Sequence, residues 1–416
     1  MKKIYKVLAL ILVCAMILAA CGGTASSQAE SSAEPEKEAS KEETAPAEES
    51  KEESKEEAPA ESAEPIYCAL VGPMTGDNAQ YGQQFQRGIE TFIEEYNAAG
   101  GFHGRMLELT AFDDKNDAKE AVNVANKIAS EEKYSVVFGP YSSTCAFAMA
   151  EVLDEAKIIQ ISPCVSHPDY VSYKYTVRIG HVNTEEGKYV AKYMKRELGC
   201  EKVAGIWMNT DWGVAVNEAW SGFCGDEGLE LVSDDSYIAG QTKDFTPLIT
   251  KIKELNPDGL YLMGNYAEVG PMLQQIKDMQ LEAHVIVGTP SYKQETLDLA
   301  GEAAQGVDFI TAFTVDNPAE KVVAFRQLMR EKYDVEIDNF IVRAYDAVDV
   351  YTRALEADGG STDADEIIAV IPSLQNIEGV SGTFSYQPDR NTTRSFLINQ
   401  DDGTGHFKFV KAPQFD

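Results

Sequence analysis

From Ile66 onward, short β-rich runs alternate with amphipathic stretches of helical length. This alternation constrains the fold more than any other feature of the chain. Ile66–Val71 reads as a strand. The stretch that follows, to about Asn97, places Phe85, Ile89, Phe92, Ile93 and Tyr96 on one helical face, and Gly100-Gly101 stops it. Met106–Phe112 is the next strand, followed by a helix with Val122, Ala125 and Ile128 inward. Tyr134–Phe138, a helix over Thr144–Lys157 and a strand at Ile158–Ser162 complete the first block. A second block repeats the pattern: strands at Val203–Met208, Leu229–Tyr237, Gly259–Met263 and Val285–Val287, with helices over 213–226, 245–255 and 267–280 between them. Long helices are predicted over 318–333 and 339–357. Gly382 to Val410 reads as short strands with turns at Pro388-Asp389 and Asp402-Gly403. Strands alternating with helices of this length imply parallel sheets covered on both faces. The simplest architecture is two doubly wound α/β lobes, with the chain crossing between them more than once.

The first 65 residues are of a different kind. A basic start (Lys2, Lys3, Lys6) precedes an apolar run from Val7 to Leu18, then Ala19-Ala20-Cys21. That is the layout of a secretory signal peptide with small residues at the cleavage point. The apolar run is shorter than the roughly 20 residues that span a bilayer. A cysteine directly after the small residues resembles the lipobox of bacterial lipoproteins. The resemblance implies that residues 1–20 are removed and that Cys21 carries lipid, tying the protein to the outer face of the cell membrane. Residues 22–65 contain only Gly, Ala, Ser, Thr, Pro, Glu, Gln and Lys. Such a segment cannot bury enough apolar area to offset its chain entropy, so residues 21–65 are expected to form a lipid-anchored, disordered tether. Its reach is roughly 150 Å when fully extended.

The chain formally carries −32 charges, of which −25 fall on residues 66–416. Nucleic acid recruits basic surfaces and is excluded as a partner. Five cysteines lie in the body (Cys68, Cys145, Cys164, Cys200, Cys224), an odd number whose spacing fits no zinc pattern. They read as small buried hydrophobes, with Cys145–Cys164 and Cys200–Cys224 bridges left open.

In open α/β sheets ligands bind at the carboxyl ends of strands, beside helix N-termini. After the strand at 134–138 comes Gly139-Pro140-Tyr141-Ser142-Ser143-Thr144, then a helix for which Ser143 is a natural N-cap. The unpaired N–H groups of that first turn make an anion site. The next strand ends in Ser162-Pro163-Cys164-Val165-Ser166-His167-Pro168, a second loop with hydroxyls to offer. Read locally, ordinary capping and turn chemistry explains both loops equally well.

The ordered set ALVGPMTG (Ala69–Gly76), Gln80-Tyr81-Gly82, NAAGGFHG (Asn97–Gly104), Phe112-Asp113-Asp114, Gly139–Ser143, Ser162–Ser166, Asp211-Trp212-Gly213, Asp244-Phe245 and Asn265 to Gly270 resembles the type I solute-binding proteins. It is similar, more closely, to the branched-chain amino acid-binding (Leu/Ile/Val-binding) proteins of ABC transporters. The resemblance covers residues 66–410. It implies two Rossmann-like lobes joined by three hinge crossovers, with 66–180 and 313–381 in lobe 1 and 181–312 and 382–416 in lobe 2. It also implies closure on a small-molecule ligand and docking on a permease. Carried over by position, Tyr81 packs against the ligand side chain, and Ser143, beside Thr144, bonds the ligand carboxylate. Cys164 and Ser166 contribute backbone and hydroxyl groups. Trp212 closes from the second lobe, and Asn265 or Tyr266 faces the cleft.

One position departs from that pattern. Amino-acid binders of this family usually place an acidic residue in the second lobe to receive the ligand ammonium. Here Val287-Gly288-Thr289-Pro290-Ser291-Tyr292 puts Pro290 in its place, with neither a charge nor an N–H. A buried ammonium without an ionised partner costs several kcal/mol. Asp211 or Glu268 substitutes only if it points inward. The expected ligand is therefore an amino acid-related carboxylate, aromatic or branched and with or without the amine, or a small amide, rather than a standard α-amino acid, held by a hydroxyl-and-amide cradle, an aromatic clamp and lobe closure.

Catalytic signatures are missing: there is no G-x-S-x-G elbow, no H-E-x-x-H and no P-loop, and the five histidines are scattered. Asp113-Asp114-Lys115-Asn116-Asp117 has the density of a calcium loop, but Lys115 spoils a ligand position and Ala118 replaces the needed glycine. No enzyme, metal or cofactor is expected. A transport receptor and a sensory receptor coupled to a membrane signalling protein both fit this fold.

Overall fold

The computed structural model describes residues 64–415; the signal segment, Cys21 and nearly all of the linker lie outside them. Among the described residues no helix is long and apolar enough to cross a membrane.

The first lobe contains β1 (Ile66–Gly72), α1 (Ala79–Ala98), β2 (Leu107–Asp113), α2 (Ala118–Ser130), β3 (Tyr134–Phe138), α3 (Ser143–Glu155), β4 (Ile159–Ser162) and β5 (Thr176–Arg178). Its sheet has the order β2-β1-β3-β4-β5, and every pair is parallel. Because both faces are covered, β1 is apolar almost throughout rather than alternating. Cys68 and Leu70 join the cluster of Phe85, Ile89 and Tyr351, whereas Ala69 and Val71 join that of Ala121, Ala125 and Met149. Ala121, rather than the expected Val122, supplies that inward face.

The second lobe contains α4 (Asn183–Arg196), β6 (Lys202–Met208), α5 (Asp211–Asp226), β7 (Glu230–Tyr237), α6 (Thr246–Leu255), β8 (Gly259–Met263), α7 (Tyr266–Asp278), β9 (His284–Val287), α8 (Gln294–Ala300) and β10 (Asp308–Thr311). The chain continues through α9 (Glu320–Tyr333), α10 (Asn339–Ala357), α11 (Ala364–Val370), β11 (Ile377–Gly379), β12 (Gly382–Phe384), β13 (Leu397–Asp401) and β14 (Phe407–Lys411). The second sheet has the order β14-β13-β10-β9-β8-β6-β7, parallel except where β13 and β14 join it antiparallel.

The chain crosses between the lobes after β5, between β10 and α10, and between β12 and β13. The second and third crossings come later than the bounds expected at 313 and 382. Phe313, Val322, Phe325 and Met329 join the second-lobe cluster, so the return to the first lobe occurs on α10 rather than at 313. At the other end β12 pairs with β11, Phe384 and Tyr386 pack in the first-lobe cluster, and Arg390 donates to the Tyr173 carbonyl at 3.0 Å. An amphipathic pattern says that a face is buried, not which lobe buries it. Helix α10 serves both: Phe340, Ala344 and Tyr351 face one cluster, and Ile341, Val342 and Tyr345 the other.

Candidate functional site

Strand β3 ends at Phe138, and Gly139 turns the chain with φ +119°. A Cβ on Gly139 would stand 1.9 Å from the Val71 carbonyl oxygen, so only glycine fits. The loop then enters α3 with Ser142, not Ser143, at the N-cap: the Ser142 hydroxyl accepts from the Cys145 N–H at 3.3 Å. Ser143 becomes the first helical residue. Its hydroxyl is buried, lines the cavity and has no hydrogen-bond partner. The first intrahelical bond runs from Ala146 N–H to Ser142 at 2.9 Å. The N–H groups of Ser143 and Thr144 therefore precede the ladder and have no helical acceptor.

The neighbouring loop is locked to this one. Ser162 donates its hydroxyl to the Pro140 carbonyl at 3.0 Å and accepts from Val165 N–H at 3.0 Å. The Cys164 thiol lies 3.2 Å from the Tyr141 carbonyl oxygen, and burial pushes its pKa up, so it stays a neutral thiol. All five cysteines of the described residues are free.

Across the cleft, the ends of β6, β8 and β9 supply the second wall. Trp212 sits in the first turn of α5, 8% exposed. Asn265 stands at the N-cap position of α7 without capping it; its Oδ1 instead accepts from the Tyr141 hydroxyl at 2.6 Å. Pro290 follows β9, and its carbonyl accepts from the Tyr81 hydroxyl at 2.9 Å.

Between the walls lies a cavity of about 420 Å³. Seven of the nine residues expected at the ligand line it: Ser143, Thr144, Cys164, Ser166, Trp212, Asn265 and Pro290. Tyr81 and Tyr266 are not on its wall. The Tyr81 ring stacks on Tyr141 at 3.8 Å, edges Phe340 at 4.8 Å and is fully buried, so its expected packing against the ligand is corrected: Tyr141 is the wall ring and Tyr81 lies behind it. Tyr266 donates its hydroxyl to the Asp77 carbonyl at 2.6 Å. These two bonds, Tyr141–Asn265 and the 2.6 Å bond from the Thr144 hydroxyl to Asp211 clasp the lobes together.

The acids named as substitutes for the missing one do not line the cavity. Asp211 is engaged by Thr144, and Glu268 accepts from Gly240 N–H at 2.8 Å, with burial raising its pKa. Asp77 is the single acidic lining residue, and it belongs to the first lobe. The acidic run after β2 does local work: Asp113 accepts from Met74 N–H at 2.9 Å, and Asp117 caps α2.

Among the lining residues that sequence reasoning missed are Tyr141, His181, Phe340 and Arg343. His181 Nε2 lies 2.8 Å from Glu186 Oε2, and Glu186 Oε1 accepts from Thr289 N–H at 2.9 Å and the Tyr261 hydroxyl at 3.0 Å. Burial holds His181 below its usual pKa, so the ring is neutral and donates from Nε2. Burial works against the Glu186 charge, but the bonds from His181 and Thr289 outweigh it and keep the carboxylate ionised. The free Nδ1 of His181 then accepts from Arg343 Nη2 at 3.4 Å. Burial, and Arg394 nearby, pull the Arg343 pKa down to about 9, which still leaves it charged at neutral pH.

Comparisons with known proteins agree with this fold. A family model described as "Periplasmic binding protein" matches residues 65–404. The chain is 28% identical over 343 residues to "Leu/Ile/Val-binding protein homolog 3" of Brucella melitensis, covering 81% of this chain and 92% of that protein. Among solved structures, a branched-chain amino acid transporter substrate-binding protein of Streptococcus pneumoniae in complex with isoleucine is 26% identical with a TM-score of 0.77, covering 84% of this chain and 100% of the other. A solute-binding protein from R. palustris in complex with 4-hydroxybenzoate is 21% identical with a TM-score of 0.78, covering 84% and 97%. At that identity it speaks for the fold alone.

Proposed function

The chain belongs to the periplasmic binding protein family, and from that premise we propose that it is the extracytoplasmic solute-binding receptor of an ABC importer. It captures a small carboxylate-bearing solute, branched-chain amino acid-like in its apolar body but lacking the amine, between two closing lobes. It makes and breaks no covalent bond. Cys21 carries the lipid, residues 22–65 tether the body to the outer face of the membrane, and the closed form docks on a permease.

One observation carries the ligand reading. The buried, unpartnered Ser143 hydroxyl and the free N–H groups of the α3 N-terminus meet a second-lobe wall whose lining residues include no acid. An anion is favoured there and an ammonium is not. Solved relatives of this fold hold isoleucine in one case and 4-hydroxybenzoate in another, so the lining chemistry, not the fold, decides between zwitterion and simple acid. The sensory alternative uses the same closure and has no separate observation behind it.

The test is a thermal-shift comparison of leucine with 4-methylpentanoate and of phenylalanine with 3-phenylpropanoate. A ligand at 100 times its Kd adds about 2.7 kcal/mol, enough for a shift of a few degrees. Stabilisation by the acids alone is expected; stabilisation by the amino acids alone would sink the ligand reading. Replacing Cys21 with serine should release the protein from the membrane fraction.

A further inference from the structure

We infer that Arg343 is a specificity-determining residue of this cavity: its guanidinium supplies a buried formal positive charge that holds the anionic group of an apolar organic acid. The inference rests on the solute-binding reading above and deepens it.

Arg343 projects from the first turns of α10, the helix that serves both lobes, and is 1% exposed. Space for it is made at the first crossing: a Cβ on Gly180 would stand 2.9 Å from Nη1. It forms no ion pair among the described residues, its Nε has no hydrogen-bond partner, and its one side-chain bond is to a neutral imidazole. The carboxylates around it are already engaged. Glu186 is separated from it by His181, and Asp346 accepts from Val380 N–H at 2.8 Å and Ser381 N–H at 2.9 Å.

A buried guanidinium without a carboxylate partner is costly in a protein interior, and a structural arginine normally acquires one. Arg343 instead opens on the cavity. The unpartnered Ser143 hydroxyl opens on the same space, so two independent orphaned donors face one cavity; its apolar lining includes Trp212, Met208, Ile238 and Pro290, while the other cation on its wall, Lys115, is largely exposed and lies 3.9 Å from Glu120. Donors of this kind suit a carboxylate, and that wall suits a hydrocarbon or aromatic body. Arginine, with its planar fork, matches carboxylate geometry better than lysine does.

The experiment titrates 4-methylpentanoate, 3-phenylpropanoate and their neutral amides into the full chain and into Arg343→Met by calorimetry, and measures the melting temperature of both without additive. The wild type should bind each acid at least about 10-fold more tightly than its amide. Arg343→Met should lose about 10–100-fold in acid affinity, the weight of a lost charged hydrogen bond, with little change for the amides. Its melting temperature without ligand should be equal to or above that of the wild type, because an uncompensated buried charge has gone. Arg343→Lys should keep part of the acid preference.

Three results would overturn the inference: acid affinity within about threefold of wild type in Arg343→Met, a wild type that binds acid and amide alike, or an Arg343→Met protein that melts well below wild type or fails to fold. If the acids bind the wild type and ignore Arg343, this inference alone falls. If no acid and no amino acid binds the wild type, the solute-binding reading falls and takes this inference with it.

Discussion

The two walls of the cavity are built alike and carry different chemistry. Each comes from loops at the carboxyl ends of parallel strands, where helices begin. The first lobe brings Ser142, Ser143, Thr144 and Ser166, small side chains that leave backbone N–H groups accessible. The second brings Met208, Trp212, Ile238, Ala239 and Pro290 beside the uncharged Asn209, Thr210, Asn265 and Thr289, and, apart from His181 at the crossing, no ionisable group. One topology thus yields a polar cradle and a cover that carries the apolar side chains and no acid. The difference teaches that solute selection in this fold is set at a few strand-end positions while the sheets stay the same. On the proposed reading it also gives the solute a direction, acid group toward the first lobe and body toward the second.

Pro290→Glu should disturb that division most, because it places a charge on the wall that has none. Preference should swing from acids toward the matching amino acids by about 3–4 kcal/mol, read as the ratio of their dissociation constants. An unchanged ratio would mean that position 290 does not face the solute. Ser143→Ala tests the polar side: carboxylate affinity should fall by about 1–3 kcal/mol in calorimetry. If affinity holds, the acid group sits elsewhere. Trp212→Ala tests the cover and should weaken binding by about 1–2 kcal/mol through lost apolar contact. Its unliganded melting temperature should stay near wild type; a large drop would make Trp212 a core residue instead. Smallest is Tyr81→Phe, which removes the bond to the Pro290 carbonyl but keeps the ring stacked on Tyr141. It should cost about 0.5–1.5 kcal/mol of closure, seen as a modest loss of affinity shared equally by every solute. A loss confined to one solute would put Tyr81 at the ligand after all.

Much of the fold was legible because parallel strands buried on both faces read as dense apolar runs; β3 and β8 occupy the spans expected for them. Strands β5 and β10 were not legible. They are three and four residues long and carry Arg178 and Asp308, polar residues that no periodicity marks as buried. At the site, the loops after β3 and β4 were visible as glycine, proline and serine clusters following a strand. Which serine caps α3 was not, because Ser142 and Ser143 differ only by where the helix starts. Tyr81 resisted for another reason: local sequence places a ring on a helix face but does not say which of several rings stands in front. Arg343 was hidden most completely. On an amphipathic helix a single arginine reads as a solvated charge, and only the packing of α10 against both lobes reveals that it is buried.

The clasp between the lobes has a consequence for traffic through the transporter. The bonds from Tyr81, Tyr141, Thr144 and Tyr266 are made by the protein to itself, so they lower the free energy of the shut form whether it is loaded or empty. Part of the empty population is then already shut, and capture pays less to select that form. With docking on a permease as proposed, the same bias means that vacant receptors compete for that docking site. Strengthening the clasp would raise apparent affinity for solute while slowing import at low supply, and an intermediate clasp strength serves uptake best.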